Sequence, residues 1–154
     1  MVISVGAPAP DFKLMDETGV PRQLSDYRGS PVVLYFYPKD DTPGCTTEAC
    51  NFRDGYGEYK RAGVIILGIS PDTVKSHAKF KEKYSLPFTL LADEEHKICD
   101  LYQVWGRKKF AGHEYDGVFR TTFVISPEGK ILKVFENVKP DGHAHEVLAA
   151  LQGS

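Results

Sequence analysis

Apolar positions along this chain follow two rhythms. Pro31, Val32, Val33, Leu34, Tyr35, Phe36 and Tyr37, closed by Pro38, form a dense β-branched and aromatic run, the composition of a strand buried on both faces. A second run, Val64 to Ile69, follows the Ala62-Gly63 break. A third, Thr121 to Ile125, leads through Ser126-Pro127-Glu128-Gly129 into Ile131 to Phe135, which predicts a hairpin. Between the runs the spacing changes: Cys45, Ala49, Phe52, Tyr56 and Tyr59 recur at alternating steps of four and three, predicting a helix from about Cys45 to Arg61 with that stripe toward the core. Thr73 to Tyr84 and His96 to Tyr102 read as further helices, and Ala144, Val147, Leu148 and Leu151 mark an amphipathic helix at the C-terminus. Trp105 to Val118, with Gly106, Gly112 and Gly117 among polar residues, reads as a long surface loop. Strands separated by single helices, with a hairpin near the end, predict an α/β fold whose mixed central sheet is covered by helices on both faces.

Composition narrows the function classes. The 154 residues fit one domain, residues 1–154, long enough for a substantial core. Nineteen bases against 21 acids give a net charge of only −2, without the concentrated basic face a nucleic-acid partner needs. No basic segment followed by an apolar run opens the chain, and no apolar stretch is long enough to span a membrane. A cytoplasmic protein with neither nucleic-acid nor membrane partner is expected. Three cysteines, Cys45, Cys50 and Cys99, are too few and odd in number for a disulfide-stapled scaffold.

The chemistry gathers where the first dense run meets the first long helix, in Pro38-Lys39-Asp40-Asp41-Thr42-Pro43-Gly44-Cys45-Thr46-Thr47-Glu48. Thr42 is a favoured N-cap, Pro43 a favoured first helical residue, and Cys45 falls in the first turn. Unpaired N–H groups and the helix dipole favour a thiolate there, the reactive form of the thiol. Because Cys45 shares the apolar stripe, it is expected to point into a partly desolvated pocket, where burial opposes ionisation and a compensating cation is required.

Pro38, Thr42 and Cys45 form the pattern Pro-x-x-x-Thr-x-x-Cys, which resembles the active-site motif of the peroxiredoxins. The resemblance runs from Gly6-Ala7-Pro8-Ala9-Pro10-Asp11-Phe12 through Gly117 to Ile125 and is greatest to the bacterioferritin comigratory protein, or PrxQ, subgroup. It implies a thioredoxin-like fold and a thiol peroxidase that needs no cofactor. Cys45 matches the peroxidatic cysteine, whose thiolate attacks a hydroperoxide and becomes a sulfenic acid. Arg120 matches the arginine beside that sulfur, Thr42 the threonine whose hydroxyl contacts it, and Pro38 the proline that shields the pocket. Glu48 stands at a frequently acidic position that orients the site's charges. Cys50 is similar to the subgroup's resolving cysteine, and thioredoxin or a similar dithiol is the implied reductant. Members occur as monomers and dimers; with the disulfide formed inside one chain, a monomer is expected.

Cys50 lies five positions after Cys45, and on a regular helix such residues are rotated by roughly 140° with Cα atoms roughly 8–9 Å apart. A disulfide needs Cα atoms within about 7 Å, so the segment from Cys45 to about Phe52 is expected to unwind before the bond forms. Cys99 reads as a small apolar packing residue in a short helix. Other classes are open to these residues. Thr42-Pro43-Gly44-Cys45 resembles a thioredoxin-type redox motif with its first cysteine replaced by threonine. A metal-binding module would draw on Cys45, Cys50 and one of His77, His96, His113, His143 or His145, without an established ligand spacing. A non-catalytic holdase is a third class. His143-Ala144-His145 reads as a solvated start to the last helix.

Overall fold

The structure, a computed structural model, describes residues 3–152. Its strands are β1 (Lys13–Asp16), β2 (Pro21–Gln23), β3 (Val32–Phe36), β4 (Ile65–Ser70), β5 (Thr89–Ala92), β6 (Trp105–Phe110), β7 (His113–Val118), β8 (Thr121–Ile125) and β9 (Ile131–Phe135). The helices are α1 (Pro43–Asp54), α2 (Tyr56–Arg61), α3 (Val74–Tyr84), α4 (Lys97–Leu101) and α5 (His143–Gln152). Seven strands form one sheet in the order β2-β1-β5-β4-β3-β8-β9. β3, β4 and β5 are parallel, while β8 and β9 extend the sheet antiparallel on one side and β1 and β2 on the other. The sheet is mixed, as expected, and among the described residues no helix is long and apolar enough to cross a membrane.

The unbroken apolar run of β3 is explained by its place. All five of its residues are buried. Val33, Tyr35 and Tyr37 join a core with α1, α2, α3 and α5, while Val32, Leu34 and Phe36 join the opposite core, which contains Cys99 of α4 together with Tyr102, Phe12 and Leu24. Helices therefore cover both faces. Cys45, Ala49, Phe52 and Tyr59 are buried as their periodicity predicts, and Tyr56 is half-buried against the same core.

Four features depart from the sequence reading. The helix predicted over 45–61 is interrupted at Gly55, whose φ of −92° and ψ of 1° leave the helical region between α1 and α2. The segment read as a surface loop, Trp105 to Val118, is an antiparallel hairpin of β6 and β7. Its two-residue turn is Ala111-Gly112, both in the left-handed region at φ 51° and 82°, the conformation that matches hairpin twist. The strands β1, β2 and β5, of four, three and four residues, are too short for their patterns to have been predicted. His143 opens α5 as expected but is buried, with its Nε2 2.8 Å from Thr122 Oγ1 and its Nδ1 3.0 Å from Glu146 Oε1, whereas His145 is exposed.

Candidate active site

β3 ends at Phe36, and the chain crosses Tyr37 to Thr42 before entering α1. A buried polar network holds this crossing rigid. Asp40 accepts hydrogen bonds from Tyr37 Oη at 2.6 Å on Oδ1 and from Ser76 Oγ at 2.8 Å on Oδ2, and His77 Nδ1 lies 2.7 Å from that same Oδ2. The His77 Nε2–H donates to the Leu91 carbonyl at 2.9 Å, and the Asp40 amide donates to Asp72 at 2.8 Å. Asp40, Asp72 and His77 have metal-like spacing, but these hydrogen bonds already occupy the atoms a cation would take. Asp41 follows with φ 56°, a conformation aspartate tolerates, and accepts from Lys83 Nζ at 2.7 Å and Tyr84 Oη at 2.8 Å.

Pro38 is half-buried directly after the strand. Thr42 occupies the N-cap position and Pro43 the first helical one, as predicted. Thr42 does not cap through its side chain: its hydroxyl donates to the Lys39 carbonyl at 2.9 Å. The hydroxyl's single proton is committed to that local turn.

Cys45 lies in the first turn of α1 with 1% of its surface exposed. Arg120, just before β8, supplies the required cation. Its Nη2 donates to Cys45 Sγ at 3.0 Å, and its Nη1 donates to Glu48 Oε1 at 3.0 Å. The planar guanidinium thus bridges two residues of α1, a task its fork-like donors suit better than a lysine would. Register delivers it: Phe36 stands opposite Thr121 in the β3–β8 ladder, so the end of β3 and the start of β8 lie side by side. Gly44 is where this packing is tightest, since a Cβ there would lie 2.7 Å from Arg120 Nη2.

Glu48 is fully buried. Burial pushes its carboxyl up to about 7, with Arg120 pulling in the opposite direction. The sequence stripe passed over it because a carboxylate counts against a core position; three residues from Cys45, it shares the buried face. A residue absent from the sequence reading is Lys108 on β6. Its half-buried ammonium donates to the Val118 carbonyl at 2.8 Å, two residues before Arg120, and lies over the Tyr115 ring at 5.9 Å. Burial and then the Arg120 charge lower its proton affinity, while the Cys45 sulfur raises it, so the ammonium lies within the field of the site.

Cys50 is half-buried on the same helix, and all three cysteines are free thiols. Cys99 is fully buried in α4. Burial, with Asp93 adding to it, raises the Cys99 thiol far above its ordinary range, leaving it unreactive. The structure therefore brings Cys45, Glu48 and Arg120 into direct contact, sets Pro38 and Thr42 in the adjoining crossing, and keeps Cys50 further along the helix.

The AhpC/TSA family model matches residues 5–134. Peroxiredoxin Bcp of Bacillus subtilis is 49% identical over 152 residues, covering 99% of this chain and 97% of its own. Peroxiredoxin Bcp of Escherichia coli K12 is 47% identical over 146 residues, covering 95% and 93%. A cysteine-to-serine mutant of PrxQ from Xylella fastidiosa superposes with a TM-score of 0.94 at 34% identity, covering 99% of this chain and 98% of that one. The bacterioferritin comigratory protein of Xanthomonas campestris, described for its alkyl peroxide reduction activity, superposes with a TM-score of 0.90 at 38% identity, covering 97% and 98%.

Proposed function

This chain belongs to the AhpC/TSA family and is a peroxiredoxin, a thiol peroxidase, and we propose that Cys45 is its peroxidatic cysteine and Cys50 its resolving cysteine. The observation that carries the assignment is the guanidinium of Arg120 within 3.0 Å of Cys45 Sγ. A buried sulfur beside a fixed cation and at a helix N-terminus is favoured as the thiolate. The thiolate attacks one oxygen of a hydroperoxide: the S–O bond forms, the O–O bond breaks, and the leaving oxygen departs as alcohol or water once protonated. Negative charge moves from sulfur to the leaving oxygen, and Arg120 is placed to follow it. Glu48 holds the guanidinium in place, and Pro38 and Thr42 shape the approach. Hydrogen peroxide and organic hydroperoxides are the proposed substrates.

Resolution requires the Cys50 thiol to attack the Cys45 sulfenic sulfur, forming S–S and releasing water. α1 is continuous from Pro43 to Asp54, and at helical spacing the two Cα atoms are roughly 8–9 Å apart, beyond disulfide reach. The segment from Cys45 to about Phe52 therefore unwinds locally. Phe52 marks the far limit: it is fully buried, stacks on Tyr35 at 4.8 Å, and losing its packing would cost about 3–5 kcal/mol. Its neighbours are tied as well, Asn51 Oδ1 accepting from the Gly142 amide at 2.9 Å and Arg53 Nη1 donating to the Tyr84 carbonyl at 2.9 Å. The disulfide is then reduced by thioredoxin or a similar dithiol. With both sulfurs on one helix of one domain, the cycle needs only a monomer, working in a reducing compartment such as the cytoplasm.

Stopped-flow peroxide reaction of the wild type, Cys45→Ser and Cys50→Ser, with mass analysis of products, tests this reading. Turnover should vanish in both variants, with sulfenic acid accumulating only in Cys50→Ser. Undiminished peroxide consumption by Cys45→Ser would overturn it.

A further inference from the structure

Two buried acids face one half-buried cation. Arg120 donates to Cys45 Sγ and to Glu48 Oε1, each at 3.0 Å. Glu48 has no exposed surface, and its second oxygen, Oε2, has no hydrogen-bond partner. The hydroxyl of Tyr35, on β3 beneath α1, is likewise buried without a partner, and of the charges acting on it Glu48 and then Cys45 are the largest. Other titratable groups around the site are engaged elsewhere. Asp40 binds Tyr37 and His77, and His143 from α5 binds Thr122 and Glu146. Lys108 is held on the Val118 carbonyl and acts on Cys45 only through its field, and Cys50 lies further along α1.

One guanidinium can neutralise one anion in a dehydrated site; a second leaves a net buried charge, which costs several kcal/mol unless a proton removes it. We propose that Cys45 and Glu48 share one proton across Arg120: Glu48 is a neutral acid while the sulfur is a thiolate, and it ionises when the sulfur is oxidised. This rests on the reading of Cys45 as the peroxidatic thiolate and adds a proton cycle to it. Burial places the Glu48 carboxyl near 7, so both of its forms are accessible at neutral pH. An orphaned Oε2 also suits a protonated carboxyl better than a carboxylate, which would leave a full share of charge unsolvated.

The balance closes. Thiolate, protonated Glu48 and hydroperoxide become sulfenic acid, ionised Glu48 and alcohol. The S–O bond forms, the O–O bond breaks, the sulfenic oxygen keeps the peroxide hydrogen, and the leaving alkoxide gains a proton whose net source is Glu48. One negative charge is present on each side. Arg120 then faces one anion, Glu48, and a neutral sulfur, so its hold on Cys45 weakens when α1 must unwind toward Cys50. When an external dithiol regenerates the Cys45 thiol, that proton returns to Glu48. Glu48 is on this account the net proton donor of the cycle, and its charge is coupled to the sulfur through Arg120.

Infrared difference spectroscopy tests it with a readout that packing alone does not move. In Cys50→Ser protein carrying ¹³C-labelled glutamate, one equivalent of hydrogen peroxide should remove one protonated-carboxyl C=O band and create a carboxylate band. Both signals should be missing in Glu48→Gln, Cys50→Ser. In labelled wild type the same change should appear with the sulfenic acid, before the disulfide forms and α1 unwinds, so the test survives if the double variant fails to fold. Mass analysis of the same samples separates the two readings. Oxidation on a sulfur other than Cys45 would overturn the peroxidatic assignment, and Cys45 oxidation without a carboxyl band change would overturn the shared proton.

Discussion

At the residue scale the site depends on one side chain making two bonds in different directions. Arg120 serves Cys45 and Glu48 with separate nitrogens of one plane, and a lysine offers a single point charge instead. Arg120→Lys is expected to lower the second-order rate with hydrogen peroxide by roughly 10²–10³-fold, the usual loss when a fixed donor at a developing charge is removed. Stopped-flow measurement on Cys50→Ser as the parent isolates that step. Arg120 itself was legible because it matches the arginine of the family it resembles, at the head of the apolar run Thr121 to Ile125. Glu48's burial was not legible, since nothing in a helical repeat distinguishes a carboxylate turned inward from one turned outward.

Glu48 should also leave a signature on stability. Its folded-state pKa of about 7 lies above its ordinary 4.5, so between those pH values the folded chain keeps a proton the unfolded chain has lost. The associated stability is complete below 4.5 and is lost as pH rises through 7, a difference of roughly 3 kcal/mol at most. Urea unfolding of the reduced protein between these limits should show a decline in wild type that Glu48→Gln lacks. His143 acts in the opposite sense, because burial holds its pKa below 6.5 and favours the folded state only at higher pH; both proteins retain it, so their difference reports Glu48.

At the scale of elements, the first turn of α1 and the hairpin do most to shape the site. A methyl group at residue 44 would sit 2.7 Å from Arg120 Nη2, too close for the guanidinium to stay on the sulfur. Gly44→Ala should therefore reduce peroxide reactivity by at least tenfold while shifting the melting temperature by only a few degrees, because the clash falls on the mobile end of a side chain. The β6–β7 hairpin was missed because Ala111, where asparagine or glycine usually marks such a turn, gave no hairpin signal. Its function was missed with it, for it is what carries Lys108 to the rim. Lys108→Met is expected to slow peroxide reduction about fivefold, roughly 1 kcal/mol of lost field at the transition state, with Lys108→Arg restoring most of it. The break at Gly55 was hidden for a different reason: Tyr56 and Tyr59 continue the buried stripe across it, so periodicity alone reads one helix where there are two.

At the scale of the whole molecule, the central strands were the most legible part of the fold, because β3, β4 and β8 are buried on both faces and carry dense runs of apolar and β-branched residues. The edge formed by β1 and β2 was not, because β2 is fully exposed and β1 has only one buried residue. That one, Asp16, is buried against its own preference, yet hydrogen bonds from Thr18, Arg22 and Val20 lower its carboxyl to about 2. The redox cycle should be visible at this scale too. Circular dichroism and amide exchange on the dithiol and disulfide forms should show helix lost and protection reduced over Cys45 to Phe52, with the β3, β4 and β8 amides unchanged.

The pairing of Phe36 with Thr121 has a consequence for the protein's early life. Sulfur and guanidinium stand 75 residues apart in the chain and meet only after the middle of the sheet has zipped in the correct register, since a slip of a single residue would turn every side chain of β8 to the opposite face. A nascent or unfolded chain therefore carries an unremarkable cysteine that oxidants have no special reason to seek. Reactivity switches on only once that register is set, and a damaged molecule that loses its sheet disarms itself.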